Sequence, residues 1–309
     1  MIRTIACIGV GRMGGGIARN LARSHRFEVR VVGRSKAPVE ACAAAGAIAA
    51  AGMREALDGA DLVITCLPMP ETVLEVHEAN REYSPAGAIW MDASTVDPAT
   101  ARALADGARA AGRRFVACPL GKGPAQAEAG ELPLFVGGDE GALEELAEVF
   151  GIIGAVVHRM GSVESAAAFK LVSNLIGMTT VALVAEGYEL CRAAGVEPAA
   201  FLEALKDTGG WSYQADLRLP WMIDGDLANR FGVDLALKDL RLAVEAAARL
   251  GVPTPVGAAG LMQLAAAHAQ GYGGLDVAAI DRVVAPRRQP RTQEDPGGPG
   301  KTREDSEMP

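Results

Sequence analysis

A short apolar run at residues 4–8 (TIACI) ends directly in Gly9-Val10-Gly11-Arg12-Met13-Gly14. An apolar run of that length, bounded by glycines, reads as a strand buried on both faces, and a G-x-G-x-x-G placed after it forces a tight turn into a helix. Gly9 permits the turn, Gly11 lets another group approach the backbone, and Gly14 lets the following helix, expected at about 15–24, pack on the sheet. The first half of the chain then repeats the pattern. Strands are expected at 28–32, 47–49, 62–67, 88–92, 115–118, 134–136 and 155–158, with helices near 38–45, 71–80, 98–111 and 140–150. Such alternation predicts an α/β fold, a Rossmann-type doubly wound parallel sheet over residues 1–161.

After Gly161 only helical patterns remain. The stretch 166–185 (AAAFKLVSNLIGMTTVALVA) has no proline and is apolar almost all the way round, which predicts a buried helix at 165–194 capped by Gly195. Further helices are expected at 198–206, 214–223, 234–250, 254–269 and 275–284, giving an all-helical second domain over 162–285. Inside the apolar helix stands Lys170, with Asn174 one turn on and on the same face. An ammonium there must find a partner, lose its proton or face a cavity. The stretch is about long enough to span a bilayer, but Lys170, Ser173, Asn174, Thr179 and Thr180, with Glu164 and Glu186 flanking, oppose a membrane role. Residues 286–309 hold prolines, glycines and mixed charges with little apolar content, the composition of a disordered tail.

The net charge of −8 and the lack of a long basic run argue against a nucleic-acid partner. Cys7, Cys42, Cys66, Cys118 and Cys191 are scattered with no CxxC pair, which predicts free thiols and no structural metal. The N-terminus carries no signal-peptide pattern, so a cytoplasmic protein is expected.

The glycine turn in its strand–turn–helix setting predicts a dinucleotide site, with Gly9, Gly11, Arg12, Met13 and Gly14 around the pyrophosphate. The end of the second strand reads Gly33-Arg34-Ser35-Lys36, without the carboxylate that would hold the ribose hydroxyls of NAD. Arg34 and Ser35 are either contacts for a 2′-phosphate, which favours NADP over NAD, or a solvated turn. Three later strand ends face the same edge. Leu67, Pro68 and Met69 are candidate cofactor contacts. Ser94 and Thr95 either bond the nicotinamide end and substrate or cap the helix at Pro98. Gly121, Lys122 and Gly123 form either a loop for an anionic substrate group or an exposed turn with a surface lysine.

Four segments together resemble the β-hydroxyacid dehydrogenase family, which includes 3-hydroxyisobutyrate dehydrogenase. They are the glycine turn with Met13, Asn20 and Leu21; Asp92-x-Ser94-Thr95; Gly161…Lys170-x-x-x-Asn174; and Phe231…Leu237-Lys238-Asp239-Leu240. They occur in the family's order over about residues 1–285. The resemblance implies an NAD(P)-dependent, reversible oxidation of a small anionic 3-hydroxy acid, and a homodimer or homotetramer. Lys170 would be the catalytic acid/base and Asn174 the amide that orients substrate. Phe231 and Lys238 would lie near the cofactor, and Asp239 near the substrate. Two departures stand out. The family's D-A-P-V-S-G-G loop becomes Ala117-Cys118-Pro119-Leu120-Gly121-Lys122-Gly123, which is similar to the P-V-G-R-T-S loop of sulfolactaldehyde reductases. The family's K-x-x-N-N becomes Lys170-Leu171-Val172-Ser173-Asn174. Imine reduction on the same fold, and a non-catalytic NADPH-binding module, are the alternatives; the retained lysine speaks against both.

Overall fold

The computed structural model of the protein describes residues 2–285; the tail expected to be disordered, 286–309, lies outside the described residues. The alternation seen in the sequence is realised as β1 (Thr4–Ile8), α1 (Arg12–Arg23), β2 (Glu28–Val32), α2 (Lys36–Ala44), β3 (Ile48–Ala49) and α3 (Met53–Leu57). Next come β4 (Leu62–Thr65), α4 (Pro70–Asn80), β5 (Ile89–Asp92), α5 (Pro98–Ala110), β6 (Arg114–Ala117) and α6 (Pro124–Ala129). The sheet is completed by β7 (Leu132–Gly138), α7 (Glu140–Glu145), α8 (Ala147–Ile153) and β8 (Gly154–Gly161). All of these strands join one 8-stranded sheet in the order β3-β2-β1-β4-β5-β6-β7-β8.

Alternate residues of β1 feed opposite cores, as the pleat requires. Ile5 and Cys7 pack with Ile17, Leu21 and Val149 on one face, while Ala6 and Ile8 pack with Leu57, Val73 and Leu104 on the other. The strand order reverses between β1 and β4, so the crevice at their carboxyl ends is where this architecture binds ligands.

Two strands depart from the expected parallel arrangement: β7 runs antiparallel to β6, and β8 runs parallel to β7. The segment leaving β6 folds back along its own successor. Leu120 bridges Leu134, the Gly121 amide donates to the Pro133 carbonyl at 2.7 Å, and the Phe135 amide donates to the Pro119 carbonyl at 3.1 Å. These bonds fix Gly121 against β7 and leave the chain no parallel return. The helix expected at 140–150 breaks at Leu146 into α7 and α8, and the short α3 and α6 were not evident in the sequence.

The helices that follow are α9 (Val163–Ala193), α10 (Pro198–Lys206), α11 (Tyr213–Asp224), α12 (Val233–Arg249), α13 (Pro255–Ala269) and α14 (Asp281–Val284). The Ser162 hydroxyl caps the start of α9, and Gly195, at φ +87°, supplies the left-handed residue that ends it. The last expected helix is shortened because Asp276 caps a 3₁₀ turn at Val277–Ile280 ahead of α14.

The helix expected to be buried all round is buried on one face only. Met178, Val181, Ala182, Ala185 and Tyr188 pack with Leu219, Leu240 and Leu264 from α11, α12 and α13. Phe169, Val172, Ile176, Leu183 and Leu190 are exposed, with Ile176 at 64% and Leu183 at 67%. Phe169, Ile176, Leu183 and Leu190 recur every seventh residue, the spacing that draws one continuous seam along a helix. By length and composition α9 could also cross a membrane; its buried face is instead the core of the helical half.

Candidate active site

The glycine turn fits a pyrophosphate. Gly9 sits at φ +87°, and a Cβ there would lie 2.5 Å from the Cys66 carbonyl oxygen and 2.8 Å from a Leu67 methyl. A Cβ on Gly14 would overlap the Gly9 carbonyl, whereas one on Gly11 would meet nothing within 4 Å, so Gly11 faces open space. No side chain caps α1 and no acidic residue stands in its first turn, which leaves the leading amides at Arg12 and Met13 available to an anion. The Arg12 guanidinium reaches across to Asn229 Oδ1 at 2.8 Å, a contact not foreseen from sequence that joins the glycine turn to the helical half.

Beside the turn, Gly33 packs on Val10, its would-be Cβ 3.2 Å from a Val10 methyl. That contact brings Arg34 and Ser35 next to the glycine turn. Arg34 is exposed, and the Ser35 hydroxyl makes no bond to the α2 amides it precedes. Leu67, just past the end of β4, packs against Gly9, which places the start of the Leu67-Pro68-Met69 segment beside the glycine turn.

Ser94 and Thr95 are placed differently from each other. Ser94 is buried; its hydroxyl donates to Asp92 Oδ1 at 2.7 Å and accepts the Leu67 amide at 2.9 Å. Asp97 caps α5, accepting from the Ala99 and Thr100 amides, so neither Ser94 nor Thr95 is the cap. The Thr95 carbonyl accepts from Lys238 Nζ at 2.8 Å, which ties α12 to the end of β5.

Lys170 lies at the head of a polar chain. Its Nζ donates to Asn174 Oδ1 at 3.1 Å, and Asn174 Nδ2 donates to Asp239 Oδ2 at 2.6 Å. A carboxylate only accepts, so the amide NH₂ must face Asp239 and the amide oxygen must face the lysine. Asp239 Oδ1 is ion-paired with Lys238 Nζ at 2.9 Å, and both residues are buried. The family resemblance implied site roles for Lys170, Asn174, Lys238 and Asp239, and these four side chains are in contact in the structure. Burial pushes the Lys170 amine below the ordinary lysine range; Asp239 pulls it back up and Lys238 pushes it further down.

The loop after β6 reaches α9 through two aromatic rings. A Cβ on Gly121 would meet Pro133 at 3.0 Å and the Phe135 ring at 3.3 Å, so the serine of the family pattern would be crowded here. The Phe135 ring packs at 4.7 Å from that of Phe169, the residue before Lys170. Lys122 is held at φ +58°, a backbone state a lysine rarely adopts, and is exposed. The Gly123 amide donates to Gln126 Oε1 of α6 at 3.3 Å. Phe231 is half-buried just before α12, its amide donating to Asp276 Oδ2 at 2.8 Å. Asp276 is fully buried beside Arg218, at 3.4 Å, and this support for the Phe231 turn was not evident from sequence because the two residues lie far apart in the chain. Among the described residues there is no cluster of three metal-binding side chains.

Known proteins resemble this chain over most of its length. A family model for the NAD binding domain of 6-phosphogluconate dehydrogenase matches residues 4–161. A second, for the NAD-binding of NADP-dependent 3-hydroxyisobutyrate dehydrogenase, matches residues 165–284. The chain is 31% identical to 2-(hydroxymethyl)glutarate dehydrogenase of Eubacterium barkeri, covering 90% of this chain and 94% of that one. It is 30% identical to 3-sulfolactaldehyde reductase of Escherichia coli, covering 89% and 94%. The structure of Mycobacterium tuberculosis 3-hydroxyisobutyrate dehydrogenase with L-serine superposes with a TM-score of 0.84 at 25% identity, covering 92% of this chain and 99% of that one.

Proposed function

Because the chain belongs to the β-hydroxyacid dehydrogenase family, we propose that it is an NAD(P)-dependent oxidoreductase acting reversibly on a small anionic 3-hydroxy acid and its aldehyde, with Lys170 as the general acid/base. The observation that carries the residue assignment is the chain from Lys170 Nζ through Asn174 to Asp239, anchored by Lys238 to the Thr95 carbonyl at the ligand-binding edge of the sheet.

When bound, the nicotinamide cofactor supplies the hydride for reduction and takes it up in oxidation. The protein's part is the proton. In reduction the substrate oxygen gains negative charge, and Lys170 Nζ gives it a proton; in oxidation the neutral amine takes the hydroxyl proton. Asn174 Oδ1 accepts from the amine in either state, so the lysine stays aimed while its charge changes. Asp239 holds the Asn174 amide in the orientation that makes this possible.

The cofactor is proposed to be NADP. Arg34 and Ser35 beside the glycine turn are the support, together with the lack of a carboxylate there. Arg34→Ala is expected to weaken NADPH binding roughly tenfold, the cost of a lost charge-assisted hydrogen bond, and to leave NADH binding unchanged. Fluorescence titration with both cofactors checks this, and tighter NADH binding by the unaltered protein would contradict it.

The substrate's anionic group is proposed to meet Lys122, the exposed residue that follows Gly121, which itself packs on Phe135. A panel of carboxylate, sulfonate and phosphate aldehydes, assayed by NADPH oxidation, tests the function as a whole. Lys122→Ala is expected to lower kcat/KM about tenfold on the best of them and to spare an uncharged aldehyde. Equal loss on charged and uncharged aldehydes would remove Lys122 from the site.

The exposed seam of α9 is proposed to be covered by a second copy of the chain. Val256 and Met262 on α13, the helix packed beside α9, are apolar and exposed as well.

A further inference from the structure

The buried polar groups beneath the ends of β4 and β5 do more than fill the core. The sheet register places Thr65 opposite Asp92. Asp92 Oδ1 accepts from Thr65 Oγ1 at 2.7 Å, from Ser94 Oγ at 2.7 Å and from the Ser94 amide at 3.3 Å. Burial pushes the Asp92 carboxyl up from the ordinary range, and these three donors oppose it by favouring the ionised, acceptor-only form. Each hydroxyl has one proton, so both point at Asp92. Ser94 therefore has no proton left for a ligand; its oxygen instead accepts the Leu67 amide at 2.9 Å. The same count settles the neighbouring histidine. His77 Nε2 lies 3.4 Å from Thr65 Oγ1 and faces an acceptor, so it carries the hydrogen. His77 is itself held against the Trp90 ring at 4.3 Å and is neutral, burial pushing it down to about 3.

The carboxylate is thus the convergence point of a clamp joining two strand ends. On one side it reaches Leu67, which touches Gly9 of the glycine turn. On the other it fixes Ser94, and with it the adjoining Thr95 whose carbonyl receives Lys238. We propose that Asp92 is a positioning residue for the cofactor: through Ser94 it sets the Leu67–Met69 segment and Thr95 around the nicotinamide nucleotide, and Ser94 does not contact substrate. This rests on the dinucleotide site of the preceding section.

The test is NADPH affinity, by fluorescence titration, and steady-state kinetics with the best anionic aldehyde, for Ser94→Ala, Asp92→Asn and Thr65→Val, with Thr65→Ser as the conservative control. Ser94→Ala and Asp92→Asn should raise the NADPH Kd and cofactor KM roughly tenfold, as for one lost hydrogen bond to a charged group, while the aldehyde KM stays within about twofold. Thr65→Val should shift the cofactor values in the same direction and Thr65→Ser should restore them. Thermal melting separates this from general damage, because a purely structural loss lowers Tm without changing the affinity of the folded fraction. If Ser94→Ala binds NADPH normally but loses aldehyde affinity, Ser94 is a substrate contact and the proposal is overturned. Should Ser94→Ala not fold, unchanged cofactor affinity in Thr65→Val overturns it equally. Failure of the unaltered protein to bind any nicotinamide nucleotide would instead remove the cofactor site itself.

Discussion

Replacing Lys170 by alanine is expected to remove turnover while leaving the cofactor bound. A positioned acid/base contributes about 10²–10⁴-fold, so kcat should fall by that factor on the best aldehyde. The Lys170 amine bonds to Asn174 within the Lys170–Asn174–Asp239 chain and is not among the residues proposed to hold the dinucleotide, so the NADPH Kd should change by no more than about twofold. Asn174 remains fixed by Asp239 in the variant, which keeps substrate orientation intact and confines the loss to the proton. Stopped-flow mixing of preformed enzyme–NADPH with aldehyde reads the chemical step directly. Full activity in Lys170→Ala would mean that the buried amine has only a structural role.

Placing a carboxylate on the α9 seam is expected to separate the subunits. Ile176 and Leu183 are two turns apart on the face that is open in the single chain. If a second copy covers that face, Ile176→Asp with Leu183→Asp buries two unpaired charges at the interface, a cost of several kcal/mol each. The protein should then sediment as a monomer where the unaltered chain sediments as a dimer or tetramer. The monomer should keep its fold, because the α9 residues that pack on α11, α12 and α13 are on the other face. An unaltered chain that is monomeric at the same concentration would show that the seam has another role.

Much of the sheet could be read from the sequence because its strands are short, apolar and bounded by glycine or polar residues. The glycine turn was legible for a stricter reason: Gly9 and Gly14 stand where any Cβ would strike backbone. The helix seam was not. Composition alone cannot distinguish a helix buried on all sides from one with an exposed apolar second face, although the sevenfold spacing of Phe169, Ile176, Leu183 and Leu190 held the clue. The antiparallel β7 was hidden because it follows from backbone bonds at Gly121 and Phe135, which carry no side-chain signature. Asp97 before Pro98 is the cap that the sequence pattern left open for Ser94 and Thr95. The Thr65–Asp92–Ser94 clamp depends on strand register, so two of its members, isolated polar residues at the ends of apolar runs, gave no sign of meeting.

The central claim is that the Lys170 amine moves the proton, and its pH dependence tests this most directly. In reduction the lysine must be charged, so the rate is full below its folded-state pKa and is lost as pH rises through that value; oxidation shows the opposite trend. Because burial sets the pKa below the ordinary lysine range, the reductive limb should fall at a lower pH than a free lysine would give. The measurement is the single-turnover rate of NADPH oxidation across pH, at saturating cofactor and aldehyde, for the unaltered protein and Lys170→Ala. The account predicts a falling limb in the first that is absent from the slow residual rate of the second. The same limb in both proteins would contradict it.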